Sequence, residues 1–364
     1  MEPFQIDYTG DYLNLEGKLT VPSLEAEHFT GKPWIQYDFL RDQSPQAGET
    51  SYWDRLYSLE VQPHHLTRAN AIVIFRPWVK ASAFAKGAGS LVVIGRAGAG
   101  YDKIDLGACT DNDVVVFNCP DTLTHSTASS AFLFILALAK RLPGQERLVR
   151  TARWDLQPQT QGDDLPGKTL GIVGLGVTGR ELARLMAPWK MNIIAYSPRA
   201  DPAQAAELGV RLVSTVEEVF RESDYVSLHC RLEPRTEGWI GERELRAMKP
   251  SAYFINVARG EIVQQHVLVR ALRERWFAGA GLDVFEHEPL PAGDPLLTLD
   301  NVILTPHWLP ATRDAARLTM TEISIGLIRV SQGLVPDNVL NKSVLDRPGF
   351  QAKLAKFSIN STAP

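Results

Sequence analysis

The chain has 364 residues, enough for roughly two domains of about 100 to 200 residues each. It is 45% hydrophobic and 22% charged, which is typical of soluble globular proteins. The formal net charge of −4 offers no basic field for a polyphosphate, so we expect no nucleic-acid partner.

The three cysteines form no CxxC pair, which argues against a disulfide framework and against a structural zinc site. This pattern favours a reducing cytoplasm, and no metal is expected. The first residues are acidic and polar where a signal peptide needs a basic start and an apolar core. The longest apolar run, AFLFILALA at 131–139, is about half the length that crosses a bilayer. We therefore expect no membrane anchor.

The first 65 residues are aromatic-rich and irregular, and their pattern predicts no definite elements. Beyond them, continuous apolar runs predict strands buried on both faces, as in a parallel sheet covered by helices. These runs are AIVIFR (71–76), SLVVIGRAG (90–98) and DVVVFN (113–118). The stretch THSTASSAFLFILALAKRL (124–142) is apolar nearly all round and predicts a buried helix.

From residue 168 onward, predicted strands alternate with helices, which indicates a doubly wound α/β domain. The strands are KTLGIVGLG (168–176), NIIAYS (192–197), YVSLHC (225–230), AYFINVA (252–258), GAGLDVF (279–285) and NVILTP (301–306). The last long helix is predicted over roughly 311–331, before the stop signals Gly333 and Pro336.

A G-x-G-x-x-G motif, made of Gly174, Gly176 and Gly179, lies between the first of these strands and an amphipathic helix. In this context the first glycine permits a tight turn, the second lets a pyrophosphate approach, and the third lets helix and strand pack. The motif therefore predicts dinucleotide binding, and a plain tight turn is the alternative.

The second strand of such a domain ordinarily ends in an acidic residue that accepts the ribose hydroxyls of NAD. Here the strand ends in YSPR, without a carboxylate. Ser197 can hydrogen-bond a 2′-phosphate without repelling it, and Arg199 can pair with it. The cofactor is therefore predicted to be NAD or NADP, with a mild preference for NADP. The alternative is that Arg199 is only a solvated loop charge.

In chain order, GLGVTGRE, SLHCRLEPRT, INVARGEIV, GAGLDVFEHEPLP and ILTPH resemble D-isomer-specific 2-hydroxyacid dehydrogenases. That family includes phosphoglycerate dehydrogenases and glyoxylate/hydroxypyruvate reductases. The likeness extends upstream to VVIGRAGAGYDKIDL and VFNCP, so it covers roughly residues 70–340. It implies two doubly wound parallel-sheet domains, with a Rossmann dinucleotide-binding domain (124–320) inserted into a flavodoxin-like substrate domain (1–123 and 321–364).

The resemblance implies three catalytic residues, Arg259, Glu288 and His307, each following a predicted strand. Reduction of a 2-oxo acid requires a proton for the carbonyl oxygen, and histidine suits this transfer because its ordinary pKa is near neutrality. A neighbouring carboxylate favours the imidazolium and fixes the ring, which is the role implied for Glu288. A guanidinium can hold the substrate carboxylate, the role implied for Arg259. Taken singly, each residue could instead be structural.

The other site predictions also rest on the resemblance. Along the cofactor they are Val177, Thr178, His229, Ala258 and Asp283, and around the substrate they are Arg76, Arg96, Ala99, Gly100 and Arg259. Asp283 is expected at the nicotinamide carboxamide, with a strand-end cap as the alternative. The backbone amides of Ala99 and Gly100 would cradle the substrate carboxylate.

The implied activity is hydride transfer between a nicotinamide cofactor and a small 2-oxo acid or D-2-hydroxy acid of the glyoxylate, hydroxypyruvate or phosphoglycerate type. The alternative is a non-catalytic NAD(P)-sensing scaffold of the co-repressor type, because the family fold also serves in that role. By family analogy, the helix after Thr124 would contribute to a homodimer interface. Trp308 directly follows His307, where the family usually has small residues. This departure leaves the identity of the substrate open.

Overall fold

The computed structural model describes residues 3–20, 26–46, 48, 49 and 51–358. The first 123 residues contain β1 (Phe4–Tyr8), β2 (Ile35–Phe39), α1 (Tyr52–Ser58), β3 (Ala71–Ile74), β4 (Val93–Arg96), α2 (Leu106–Asp111) and β5 (Val115–Asn118). Next come α3 (Thr124–Ala139), α4 (Leu142–Arg150), β6 (Thr169–Val173), α5 (Val177–Met186), β7 (Asn192–Tyr196), α6 (Pro202–Glu207), β8 (Val210–Leu212), α7 (Val216–Glu222), β9 (Tyr225–Leu228), α8 (Glu242–Ala247), β10 (Tyr253–Asn256), α9 (Gln265–Arg273), β11 (Gly279–Leu282) and β12 (Val302–Leu304). The chain ends with α10 (Arg313–Ser331) and α11 (Pro348–Ala355).

The chain divides into two compact units. The first unit comprises Met1–Leu123 and Thr312–Pro364, and the second comprises Thr124–Ala311. The sequence placed the second boundary at residue 320, which lies inside α10. All of α10 belongs to the first unit, because its Ile323 and Leu327 are buried in the same core cluster as Val93 of β4.

The first unit is built on a five-stranded parallel sheet in the order β2-β1-β3-β4-β5. The strands β3, β4 and β5 are buried almost throughout, as their continuous apolar runs predicted. The strand order reverses between β1 and β3, and ligands of doubly wound sheets bind outside the carboxyl ends of the strands at such a point.

The second unit contains a seven-stranded parallel sheet in the order β12-β11-β10-β9-β6-β7-β8. Here the order reverses between β6 and β9, so the carboxyl ends of these strands flank the expected dinucleotide crevice. The predicted α/β class with two parallel sheets is therefore confirmed.

The predicted apolar helix over 124–142 is observed as α3, which ends three residues earlier at Ala139. Phe134, Ile135 and Leu138 of this helix are buried, and they share a core cluster with residues of β6, β7 and β10. Within the described residues, no helix has both the length and the apolar character needed to cross a bilayer.

Candidate active site

The three residues proposed from the sequence as catalytic follow adjacent strands of the second sheet. Arg259 follows β10, Glu288 follows β11, and His307 follows β12. These strands are parallel neighbours, so all three segments emerge from the same edge of the sheet.

His307 and Glu288 form a close side-chain pair. Nδ1 of His307 is 2.8 Å from Oε2 and 3.0 Å from Oε1 of Glu288. The backbone N–H of Phe285 also donates to Oε1, at 3.1 Å. With Nδ1 donating to the carboxylate, Nε2 is the ring nitrogen that remains for proton exchange.

The environment of Glu288 favours its ionised form. Burial opposes ionisation, but the hydrogen bond and positive charge of His307, the Phe285 N–H and the charge of Arg259 outweigh it and lower the pKa of Glu288. The carboxylate is therefore charged at neutral pH and holds the His307 ring through Nδ1.

The backbone of His307 has a φ of 51°, in the left-handed region that non-glycine residues rarely adopt. Asp283 holds the surrounding segment in place. Its Oδ1 accepts hydrogen bonds from the Thr305 hydroxyl at 2.5 Å and from the backbone N–H groups of Trp308 and Leu309 at 3.2 Å each. Asp283 therefore helps to fix the orientation of His307.

The second carboxylate oxygen of Asp283, Oδ2, is buried without a hydrogen-bond partner. Burial raises the pKa of Asp283, although its hydrogen bonds act in the opposite direction. An unsatisfied buried acceptor is costly, so Oδ2 is suited to receive an N–H donor from a ligand.

Arg259 is half-buried and its backbone is extended before a short 3₁₀ turn. Its Nη1 donates to the carbonyl of Ala258 at 2.8 Å, and its own carbonyl accepts from the Asn256 side chain at 2.9 Å. A Cβ on the next residue, Gly260, would lie 1.9 Å from the carbonyl carbon of Phe285. The Arg259 segment therefore packs directly against the segment that leads to Glu288.

The glycine motif forms the turn between β6 and α5. Gly174 has a φ of 99°, and a Cβ there would lie 2.7 Å from the backbone nitrogen of Cys230. A Cβ on Gly179 would lie 2.2 Å from the carbonyl oxygen of Gly174, so this glycine permits the close approach of helix and turn. At Gly176, by contrast, nothing lies within 4 Å of the corresponding position.

Gly176 is the N-cap of α5 and provides no side chain to cap the helix. The amides of Val177, Thr178 and Gly179 therefore form a helix N-terminus that faces open space beside Gly176. This arrangement fits a pyrophosphate, which needs close backbone approach and helix N–H donors.

His229 and Ala258 follow the neighbouring strands β9 and β10, and the backbone of His229 lies next to the glycine turn. Nε2 of His229 lies 2.8 Å from the Ser227 hydroxyl, and its Nδ1 is buried without a partner. Burial lowers the pKa of His229 to about 4, so the ring is neutral at pH 7. Ala258 is half-buried, and its N–H donates to the Asn256 side chain at 3.0 Å.

Ser197 and Arg199 follow β7, as the sequence indicated, but a third residue that it did not indicate lies beside them. Nη2 of Arg199 is 3.7 Å from Oε1 of Glu233, which belongs to the loop after β9. Oε2 of the same carboxylate is 2.7 Å from Nη2 of Arg235. No local sequence pattern could reveal this grouping, because it joins two loops from different strands.

In the first unit, both candidate substrate arginines are engaged by protein acceptors. The backbone N–H of Arg76 donates to Oδ2 of Asp11 at 2.9 Å, and its Nη1 lies 4.0 Å from the same oxygen. Nε of Arg96 donates to the carbonyl of Gly100 at 2.7 Å. Nη1 of Arg96 also donates to the carbonyl of Ala97, and the carbonyl of Ala99 accepts from the Asn118 side chain at 2.7 Å, so side chains bind three carbonyls of the AGAG loop.

One group of possible metal ligands occurs in the described part of the chain. It consists of Asp42, His64 and His65, whose ligand atoms lie within 4.8 Å of one another. The backbone N–H of Gln62 donates to Nδ1 of His65. Burial lowers the pKa of His65, so its neutral ring carries the proton on Nε2 and donates it to Asp42. That nitrogen then has no lone pair for a metal, and the group is a hydrogen-bonded cluster.

Comparison with known proteins identifies the class. The family model described as "D-isomer specific 2-hydroxyacid dehydrogenase, NAD binding domain" matches residues 132–308. A glyoxylate reductase from Korarchaeum cryptofilum is 40% identical over 266 residues, covering 72% of this chain and 80% of the relative. A D-3-phosphoglycerate dehydrogenase from Methanocaldococcus jannaschii is 38% identical over 251 residues, covering 69% of this chain and 48% of that one.

Among solved structures, the TT0316 protein from Thermus thermophilus matches with a TM-score of 0.76 at 28% identity, covering 92% of this chain and 99% of that chain. The two parallel sheets and the glycine turn define an α/β protein with a nicotinamide-dinucleotide domain. The chain belongs to the D-isomer specific 2-hydroxyacid dehydrogenase family.

Proposed function

We propose that the protein reduces a small 2-oxo acid to the D-2-hydroxy acid with NADH or NADPH, and catalyses the reverse oxidation. The observation that carries this proposal is the His307–Glu288 pair at the carboxyl edge of the dinucleotide sheet. The names of the relatives, glyoxylate reductase and D-3-phosphoglycerate dehydrogenase, support the same class of reaction.

In reduction, His307 donates a proton from Nε2 to the carbonyl oxygen as negative charge develops there. A nicotinamide cofactor, when bound, supplies the hydride that reaches the carbonyl carbon. Glu288 stabilises the charged imidazolium and holds the ring, and a positioned acid of this kind contributes about 10²- to 10⁴-fold. Arg259 holds the substrate carboxylate and polarises the carbonyl through charge-assisted hydrogen bonds.

The residues of the second unit fit a nicotinamide dinucleotide. The uncapped amides of Val177, Thr178 and Gly179 would receive the pyrophosphate. Oδ2 of Asp283, which lacks a partner, would accept an N–H of the carboxamide. His229 and Ala258 would line the same crevice, because they follow β9 and β10.

Ser197 and Arg199 would receive a 2′-phosphate, which favours NADP mildly over NAD. Arg199 is exposed, with 77% of its side chain accessible, and is therefore open to an incoming anion. A guanidinium binds phosphate with paired hydrogen bonds, whereas Ser197 adds a neutral donor.

We propose that the substrate is a 2-oxo acid without a distal phosphate, of the glyoxylate or hydroxypyruvate type. The amides of Ala99 and Gly100 would receive its carboxylate. The guanidinium of Arg76 lies 4.0 Å from the carboxylate of Asp11, and Nε of Arg96 donates to the loop carbonyl of Gly100. With these contacts the two arginines shape the site rather than bind an additional phosphate.

Three lesser proposals accompany this function. The protein forms a homodimer, to which α3 contributes through residues such as Leu133, which is 49% exposed. It acts in the cytoplasm, where its three free cysteines stay reduced. A non-catalytic dinucleotide-sensing scaffold is the weaker alternative, because it would not need the His307–Glu288 pair.

The proposal is tested by following the oxidation of NADH and NADPH with glyoxylate, hydroxypyruvate, pyruvate and 3-phosphohydroxypyruvate. Chiral chromatography of the products should give the D-isomer wherever the product is chiral. Tight binding of either cofactor with no turnover of any 2-oxo acid would overturn the reductase assignment and support the scaffold.

A further inference from the structure

We propose that Glu233 is a cofactor-specificity residue that opposes binding of the 2′-phosphate of NADP at Arg199 and keeps NAD usable. This inference rests on the proposed dinucleotide site. The choice between NAD and NADP would then depend on the loop after β9 as well as on the residues that follow β7.

The loop after β9 reaches the end of β7. The ring centroids of Tyr196, the last residue of β7, and Trp239 are 5.9 Å apart. Oε1 of Glu233, in the same loop, lies 3.7 Å from the guanidinium of Arg199. Two separate contacts therefore bring this loop to the strand end where a dinucleotide fold ordinarily carries its ribose-binding acid.

The carboxylate of Glu233 is held in position. Its Oε2 accepts from Nε of Arg235 at 2.8 Å and lies 2.7 Å from Nη2 of the same guanidinium. The backbone N–H of Glu233 donates to the Thr236 hydroxyl at 2.8 Å. Because Oε2 is engaged by Arg235, Oε1 is the oxygen directed to Arg199.

A carboxylate at this position has opposite effects on the two cofactors. It accepts hydrogen bonds from ribose hydroxyls, as the usual strand-end acid does, and so favours NAD. A 2′-phosphate would compete with Glu233 for Arg199 and would be repelled by the remaining negative charge. Glu233 therefore limits the preference for NADP that Ser197 and Arg199 provide.

The experiment measures binding of two fragments that lack nicotinamide, adenosine 2′,5′-bisphosphate and adenosine 5′-monophosphate, by calorimetry. The variant Glu233→Gln retains an oxygen acceptor for Arg235 and removes the charge. We expect it to tighten binding of the bisphosphate about five- to tenfold relative to the monophosphate, because a partly exposed like charge a few ångströms away costs about that factor. The ratio of Kd values for NADPH and NADH should shift equally.

The matched control is Glu237→Gln, which removes an exposed carboxylate from the same loop. The variant Arg199→Gln should weaken bisphosphate binding, because it removes the cation that pairs with the 2′-phosphate. An unchanged ratio in Glu233→Gln or an equal shift in Glu237→Gln would overturn the proposal. Because the fragments transfer no hydride, a protein without reductase activity would still give a decisive result.

Discussion

Nδ1 of His307 lies 2.8 Å from Oε2 of Glu288, and the carboxylate is in turn fixed by the backbone N–H of Phe285. This relationship orients an imidazole whose backbone adopts the uncommon left-handed conformation. The strain of such a conformation persists only where the surroundings hold it, and here Asp283 binds the flanking backbone amides. The segment around His307 is therefore held in one orientation, as the proposed proton transfer requires.

Replacing Glu288 with Gln should lower kcat about 10- to 100-fold, because the neutral amide cannot stabilise an imidazolium at His307. The Kd for the dinucleotide should stay within about twofold of the original value, since the glycine turn is untouched. Steady-state kinetics and calorimetry together check this prediction. A large loss of cofactor affinity with normal kcat would contradict the role given to Glu288.

Two neighbouring glycines should respond differently to alanine. Gly179→Ala should lower Tm by several degrees, because its Cβ would lie 2.2 Å from the carbonyl oxygen of Gly174. Gly176→Ala has open space and an ordinary backbone φ of −76°, so its Tm should stay unchanged. Its methyl group would nevertheless occupy the approach to the uncapped amides of α5, and cofactor Kd should rise about tenfold or more. Equal effects of both variants on cofactor binding at constant Tm would argue against this account.

His229 should make the protein less stable in mild acid. Burial lowers its pKa to about 4, whereas an unfolded histidine titrates near about 6.5. Between these values the unfolded chain binds more protons, so stability is lost as pH falls through this window, by at most about 1.4 kcal/mol per pH unit. His229→Asn should show a flatter decline between about pH 6.5 and 4 in denaturant unfolding. Parallel declines for both proteins would show that His229 is not the group responsible.

Glyoxylate and hydroxypyruvate should be better substrates than 3-phosphohydroxypyruvate, by about tenfold or more in kcat/KM. The buried carboxylate of Asp11 contacts the backbone N–H and the guanidinium of Arg76. Asp11→Asn keeps an oxygen that accepts from the backbone N–H of Arg76, but it removes a carboxylate beside the guanidinium. This variant should therefore reduce the difference in kcat/KM between 3-phosphohydroxypyruvate and the other two acids. A wild-type preference for the phosphorylated acid would contradict the substrate class proposed here.

The strands beyond residue 70, except β8, could be predicted because each is a short continuous apolar run, as strands buried on both faces must be. Arg259, Glu288 and His307 could be proposed because the motifs that contain them resemble those of a known family, and each of the three closely follows a predicted strand. Glu233 and Asp11 could not be predicted, because their partners Arg199 and Arg76 are distant in sequence and are reached only through loop conformation. The strands β1, β2 and β8 were also missed: Gln5 and Asp7 interrupt the apolar residues of β1, most of β2 is exposed, and β8 is a three-residue strand that contains Arg211.

The role of His307 is tested most directly by the turnover number of His307→Gln with glyoxylate and NADPH, measured beside His287→Gln. His287 is an exposed histidine next to Glu288 and provides the same chemical change without the pair. We expect a loss of at least about 100-fold in kcat for His307→Gln, with unchanged NADPH affinity, and near-normal kcat for His287→Gln. Comparable kcat values for the wild type and His307→Gln would contradict the assignment of His307 as the proton donor.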